Sequence, residues 1–396
     1  MIRQVQIKNY KSIAQAVVNL ERLTVLIGPN GSGKSNFLDA LSFVADCLTD
    51  GVELAFKNRG GIAAVRRRSG GHPTHVGIKL VIELQDGKSA NYSFEISAGQ
   101  RGSFSVAREK CSVYGLMAQD TQFEVENGQF KQPIKGIAPK LEPDRLALFA
   151  ASATSTFRPV YDSLTAMRFY SIVPSALREL QDPDSGNFLK RDGSNAAAVL
   201  KRISEVSAQN GETYRRICSL LSKVVPGLRR AEYRSFAQKE TIQFKQDVGL
   251  RDPWTFDALN MSDGTLRVLG VLLAIYQPST PTLIAIEEPE ATVHPGVSEL
   301  LVDVLIDGAR KSQILFSTHS PDILDNKAIT DTQIRIVESE NGATLISPLS
   351  NQSRKVIRDK LYTAGELLRV NELHADKKAT EEITNELNLF SHTNAN

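Results

Sequence analysis

Gly28-Pro-Asn-Gly-Ser-Gly-Lys34-Ser35 satisfies every fixed position of the pattern G-x-x-x-x-G-K-[ST]. The apolar run Leu23-Thr-Val-Leu-Ile27 before it reads as a buried strand, and Asn36–Ala45 after it carries a helical pattern. Strand, glycine loop and helix is the context in which this spacing cradles phosphate. Backbone N–H groups of the loop close around phosphate oxygens, and the helix N-terminus adds the positive end of its dipole. The candidate nucleotide-binding residues run from Asn30 through Gly31, Ser32, Gly33, Lys34 and Ser35 to Asn36. Lys34 is the residue expected to reach the β- and γ-phosphates, and Ser35 the one expected to ligate Mg2+.

Three later segments bear on the same chemistry. Thr282-Leu-Ile-Ala-Ile-Glu287-Glu288-Pro is a hydrophobic strand ending in two carboxylates, the shape of a Walker B strand. Glu287 is the candidate Mg2+ ligand, and Glu288 the candidate catalytic base that polarises the attacking water. Glu287 stands where many phosphate-loop proteins carry Asp, and its longer side chain still reaches a metal shell. Gln313-Ile-Leu-Phe-Ser-Thr-His319-Ser-Pro is a second apolar strand, ending in hydroxyls and a histidine. His319 is a candidate catalytic residue, able to hydrogen-bond the γ-phosphate or the attacking water. Finally, Asn260-Met-Ser262-Asp-Gly264-Thr-Leu-Arg267 opens the apolar helix Val268–Tyr276. A hydroxyl and N–H groups facing outward from a helix N-terminus form an anion site, which makes Ser262 and Gly264 candidate nucleotide contacts.

Together these pieces resemble the ABC-type ATPase heads of the RecF/SMC group, within the small OLD-like AAA ATPases. The resemblance rests on residues 2–45, Ser262–Tyr276, Leu283–Pro295 and Ile314–Leu324, in the family's order. The usual signature Leu-Ser-Gly-Gly-Gln reads Met261-Ser-Asp-Gly-Thr265 here, and His294 stands where transporters carry Asp. The resemblance implies an α/β phosphate-loop NTPase with ATP and Mg2+ as cofactors. It implies a homodimer, or a higher oligomer of dimers, in which two ATP molecules are sandwiched. Gly28–Ser35, Glu287, Glu288 and His319 of one copy would meet Ser262 and Gly264 of the other. It places no Q-loop firmly: Gln85 is available, beside a hairpin turn.

The rest of the chain bounds the answer. Its 396 residues suffice for two or three domains. The implied organisation is an ATPase core at 1–80 and 250–370, an inserted β-meander and helical subdomain at 81–249, and a tail at 371–396. Alternating segments between 75 and 135 suit an antiparallel meander, and 140–230 reads as mostly helical, with Asp192–Asn195 capping a helix from Ala196. Residues 375–396 are polar with few apolar anchors and read as a frayed helix or tail. No heptad repeat is sustained, which excludes a long coiled-coil arm. No apolar run approaches a membrane span, and the alternating Met1–Asn9 reads as a strand rather than a signal peptide. Three dispersed cysteines, Cys47, Cys111 and Cys218, suggest neither disulfides nor a metal cluster, so a cytoplasmic location is expected.

Fewer than 30 residues of this sequence follow Leu368, so the carboxyl-terminal TOPRIM nuclease of OLD-type proteins is not expected here. The expected function is therefore an ATPase switch acting through an effector, with a nuclease in bacterial antiphage defence as the first reading. The alternative is a RecF-like repair ATPase acting directly on DNA. The net charge of +2 decides neither, so any DNA contact would come from local runs such as Arg66–Arg68, Lys223 or Arg229-Arg230.

Overall fold

The computed structural model describes residues 1–68, 75–84, 87–115, 121–134, 140–141, 145–207, 211–249 and 251–390. The chain forms two compact units. The first comprises residues 1–167, 331–359 and 373–396; the second comprises 168–330 and 360–372. These units group residues by packing.

The first unit is built on a seven-stranded antiparallel sheet. The meander expected at 75–135 appears as His75–Glu83, Ser89–Ala98, Phe104–Tyr114, Thr121–Glu126 and Gln129–Gln132. Ile2–Tyr10 pairs on one side with Ile13–Asn19 and on the other with His75–Glu83, so the amino-terminal hairpin and the meander share one ladder. The Gln85-Asp86 turn and the Ser69–Gly71 end of the basic turn lie outside the described residues. The loop strand Leu23–Ile27 runs parallel to Ile334–Glu340, which pairs antiparallel with Ala343–Pro348.

The helix after the phosphate loop, Lys34–Thr49, buries most of its surface, as its run of Phe, Leu, Ala and Val predicts. Phe43 anchors it, its ring 5.6 Å from Tyr10, 5.0 Å from Phe56 and 6.5 Å from Phe94. Arg59 closes one side, donating to Asp39 Oδ1 at 2.9 Å and Asp46 Oδ2 at 2.7 Å while stacking over Phe43. The tail is better anchored than its polarity implied. Helix Lys377–Asn385 is capped by the Asp376 side chain, and Leu389 is buried against Gly77, where a Cβ would stand 2.3 Å from it. Residues 391–396 of that tail lie outside the described residues.

In the second unit, Leu283–Glu287 runs parallel to both Gln313–Thr318 and Arg168–Tyr170. Helix Asp263–Tyr276 is almost wholly buried from Leu266 to Ala274. An antiparallel trio, Leu228–Phe236, Lys239–Gln246 and Trp254–Asp257, packs with helices Ala196–Ser207 and Glu212–Val224. The expected cap of the first of these helices is corrected. Asn195 Oδ1 accepts from the Lys190 N–H and Asp192 Oδ1 from the Ser194 N–H. The Ala197 N–H donates instead to buried Gln181 Oε1. Sequence proximity favoured the local side chains, but these are taken up by the loop's own turns. Among the described residues no helix is long and apolar enough to cross a membrane.

Candidate functional site

The phosphate loop lies in the first unit, between the fully buried strand Leu23–Ile27 and helix Lys34–Thr49. Gly31 and Gly33 adopt φ of 78° and 108°, the left-handed region that glycine enters without strain. Gly33 is the N-cap of a 16-residue helix that has no side-chain cap and no acidic residue in its first turn. An uncapped helix start beside the exposed rim Pro29-Asn30-Gly31 and exposed Ser35 fits a polyphosphate. Lys34 Nζ donates to the Gly28 and Pro29 carbonyls at 2.7 and 3.0 Å, so its ammonium is held inside the loop.

Distant residues brace this loop. Thr344 Oγ1 donates to the Ser32 carbonyl at 2.9 Å and lies 2.7 Å from Ser12 Oγ, which accepts from Asn36 Nδ2 at 2.6 Å. The protons run one way: Asn36 to Ser12, Ser12 to Thr344, Thr344 to the loop carbonyl. Gly33 approaches Thr344 so closely that a Cβ would meet Oγ1 at 2.0 Å. Arg67 donates to the carbonyls of Ser12 and Gly342 at 2.5 and 3.0 Å. Neither Ser12 nor Thr344 carried a sequence signal, since their meaning depends on partners more than 300 residues apart.

In the second unit the two strand ends bring Glu288 and His319 together, with His319 Nδ1 3.3 Å from Glu288 Oε1. Register explains the pairing. Glu287 lies opposite Ser317 in the parallel ladder, so the residues that follow emerge side by side. Glu288 sits at φ 43°, unusual for a residue with a Cβ, and its N–H donates to the Ser317 carbonyl at 3.0 Å. Arg191 Nη2 lies 3.4 Å from Glu287 Oε1. Glu290, two residues beyond Glu288, is buried and takes a hydrogen bond from the Thr318 hydroxyl. Burial pushes the Glu290 carboxyl above the ordinary range, with the Thr318 hydroxyl partly offsetting it.

The signature turn differs in detail from its sequence reading. Ser262 is exposed, but its hydroxyl turns back and accepts from the Thr265 N–H at 3.2 Å, capping its own helix. Gly264 packs against the turn after the acid pair, where a Cβ would stand 2.8 Å from the Thr292 carbonyl. Arg178 ties the turn down by donating to the Met261 carbonyl at 3.0 Å and to Asp263. Among the described residues no cluster of three or more His, Cys, Asp or Glu side chains is arranged to hold a metal.

This combination of elements is that of an ABC-type phosphate-loop ATPase head. The fold is that of a solved SMC head bound to the C-winged helix domain of ScpA, with a TM-score of 0.56 at 15% identity over 89% of this chain and 98% of that one. The chain belongs to the family described as "AAA domain, putative AbiEii toxin, Type IV TA system", whose model matches residues 23–325. Among curated proteins it is 21% identical over 381 residues to the Old nuclease of Escherichia phage P2, covering 91% of this chain and 62% of that protein. It is also 28% identical over 120 residues to the structural maintenance of chromosomes protein 1 of Schizosaccharomyces pombe, covering 27% of this chain and 9% of that protein. The chain thus spans less than two thirds of either relative.

Proposed function

We propose that the chain is an ATP-hydrolysing switch that closes as a homodimer, or a higher oligomer of dimers, around ATP and thereby controls an effector. The observation that carries this reading is the Glu288–His319 pair, 3.3 Å apart at adjacent strand ends. A carboxylate with an imidazole partner suits water as the phosphoryl acceptor, Glu288 taking the proton and His319 steadying the water or the γ-phosphate. Asn30–Asn36 would hold the phosphates. Ser35 and Glu287 would hold Mg2+, whose contribution is to neutralise phosphate charge. Ser262 and Gly264 of a second copy would supply the helix N-terminus that completes the site.

The effector we propose is a nuclease serving cytoplasmic antiphage defence. The Old nuclease relative and the toxin–antitoxin description of the family support that direction. The test is a pair of variants. Lys34→Ala should lose ATP binding. Glu288→Gln should bind ATP, stop hydrolysing it and accumulate as an ATP-dependent dimer or larger assembly by light scattering. Wild-type hydrolysis in Glu288→Gln removes the base assignment, and an ATP-independent monomer in that variant removes the sandwich. Steeply salt-dependent duplex binding by the isolated chain would move the reading to direct DNA repair.

A further inference from the structure

We propose that Glu290 is a positioning residue, which fixes His319 against Glu288 through the hydroxyl of Thr318. The inference rests on the hydrolytic reading of Glu288 and His319 but concerns a residue outside that pair.

The geometry is a short relay across two strand ends. Thr318 is fully buried, and its hydroxyl donates to Glu290 Oε1. The same oxygen accepts from the Ser320 N–H at 3.0 Å. One buried hydroxyl therefore grips the backbone immediately after His319 while being held itself by Glu290. On the other strand, the turn carrying Glu288 is closed by its N–H to the Ser317 carbonyl at 3.0 Å and by the Ala291 N–H to the Glu288 carbonyl at 3.0 Å. His319 is half-exposed and Glu288 partly exposed, so solvent alone would let both side chains wander. What limits them is the backbone at their roots, and Glu290 is the side chain that joins the two roots.

Glu290 is an expensive group to bury for structure alone. Its Oε2 is buried with no hydrogen-bond partner among the described residues, and the same holds for Nε of Arg267 on the signature helix. Arg267 is drawn below its ordinary range by burial, with the charges of Glu288 and then Glu290 opposing that shift. A Thr–amide or Thr–Ser pair could tie two strand ends without a buried charge. A carboxylate there adds a field that faces Arg267 and the acid–imidazole pair together.

The test compares Glu290→Ala, Thr318→Val, Thr318→Ser and the Glu290→Ala/Thr318→Val double variant, with two readouts. In steady-state ATP hydrolysis, Glu290→Ala and Thr318→Val should each lower kcat by about 10-fold or more, as a displaced catalytic group does. KM for ATP should stay within about twofold, because uniform binding is untouched. The double variant should be no slower than the worse single, since both cut one relay. Thr318→Ser should restore kcat. In ATP-free protein, the His319 ring Cε1–H NMR signal, assigned by its loss in His319→Gln, should move in Glu290→Ala and Thr318→Val and stay in place in Thr318→Ser. Multiplicative losses in the double variant, a loss carried by KM, or an unmoved ring signal overturns the proposal. If Glu290→Ala fails to fold, Thr318→Val against Thr318→Ser decides alone. If Glu288→Gln hydrolyses normally, the base assignment fails, yet the ring signal still reports whether Glu290 and Thr318 hold His319.

Discussion

Thr344→Val tests whether the phosphate loop is shaped by its own glycines or by the brace behind it. The substitution keeps the side chain's outline and removes only its hydroxyl chemistry. Thr344 is 3% exposed, so water will not replace what is lost. The hydroxyl's bond to the Ser32 carbonyl at 2.9 Å and its 2.7 Å contact with Ser12 Oγ both disappear. Two net hydrogen bonds at about 1 kcal/mol each, with a buried carbonyl left unsatisfied, come to roughly 2–4 kcal/mol. A methyl group at 2.7–2.9 Å from two oxygens is also tighter than carbon–oxygen contact allows, so the loop must shift. If half of that free energy appears as disorder of the empty loop, ATP affinity falls by about 10-fold, at 1.4 kcal/mol per decade. Titration with a fluorescent ATP analogue measures the affinity, and urea unfolding measures the remainder. Thr344→Ser keeps the hydroxyl and should bind within about threefold of the parent, a difference of under 1 kcal/mol. Wild-type affinity and stability in Thr344→Val, or equal losses in Thr344→Ser, would refute the brace.

Gly33→Ala should abolish ATP binding and lower stability by about 1–3 kcal/mol, from a strained φ and a Cβ driven into Thr344; the same titration and urea melts report both. Stability should also depend on pH through Glu109. Its buried carboxyl is raised from 4.5 to about 7, chiefly by burial, against the opposing N–H groups of Ala147 and Leu148 and the Tyr92 hydroxyl. Because the folded value lies above the unfolded one, the folded state binds the proton more tightly. The stabilisation is present below pH 4.5 and is lost as pH rises to about 7. Urea midpoints across that window should fall with rising pH, and Glu109→Gln should remove that component of the slope; a parallel slope in the variant contradicts the assignment.

What was legible in the sequence was local. The phosphate loop announces itself because a contiguous backbone shape demands particular glycines, and Gly31 and Gly33 occupy the φ values that shape needs. The acid strand and the His strand were legible because each is a short apolar run with chemistry at one end, and parallel register does the rest. Illegible were the residues whose meaning lies in a partner far along the chain. Thr344 reads as one polar residue in an alternating strand until Ser12 and Ser32 are placed beside it. Gln181 caps a helix that begins 15 residues later, while the expected Asp192–Asn195 segment is drawn into its own turns. Ser262 was read as an outward hydroxyl, but a serine at an N-cap satisfies the helix's own N–H groups first. The meander's strand spacing was legible too, but not which strand lies next to it, and that neighbour is Ile2–Tyr10.

The basic runs bear on the choice between an effector switch and direct action on DNA. Arg229 pairs with Asp247, and Arg230 lies 3.8 Å from Glu232, so a neighbouring carboxylate offsets part of each charge that a phosphate would meet. Arg67 holds the Ser12 and Gly342 carbonyls, and Ser12 is the middle member of the brace that ends on the phosphate loop. Its guanidinium therefore supports the ATP cradle from behind. Arg67→Met should weaken ATP binding by releasing Ser12, and it should leave the salt slope of any duplex binding unchanged, because that slope counts only cations that neutralise phosphates. A slope reduced by about one unit with ATP affinity intact would place Arg67 on a nucleic-acid surface and reverse the argument.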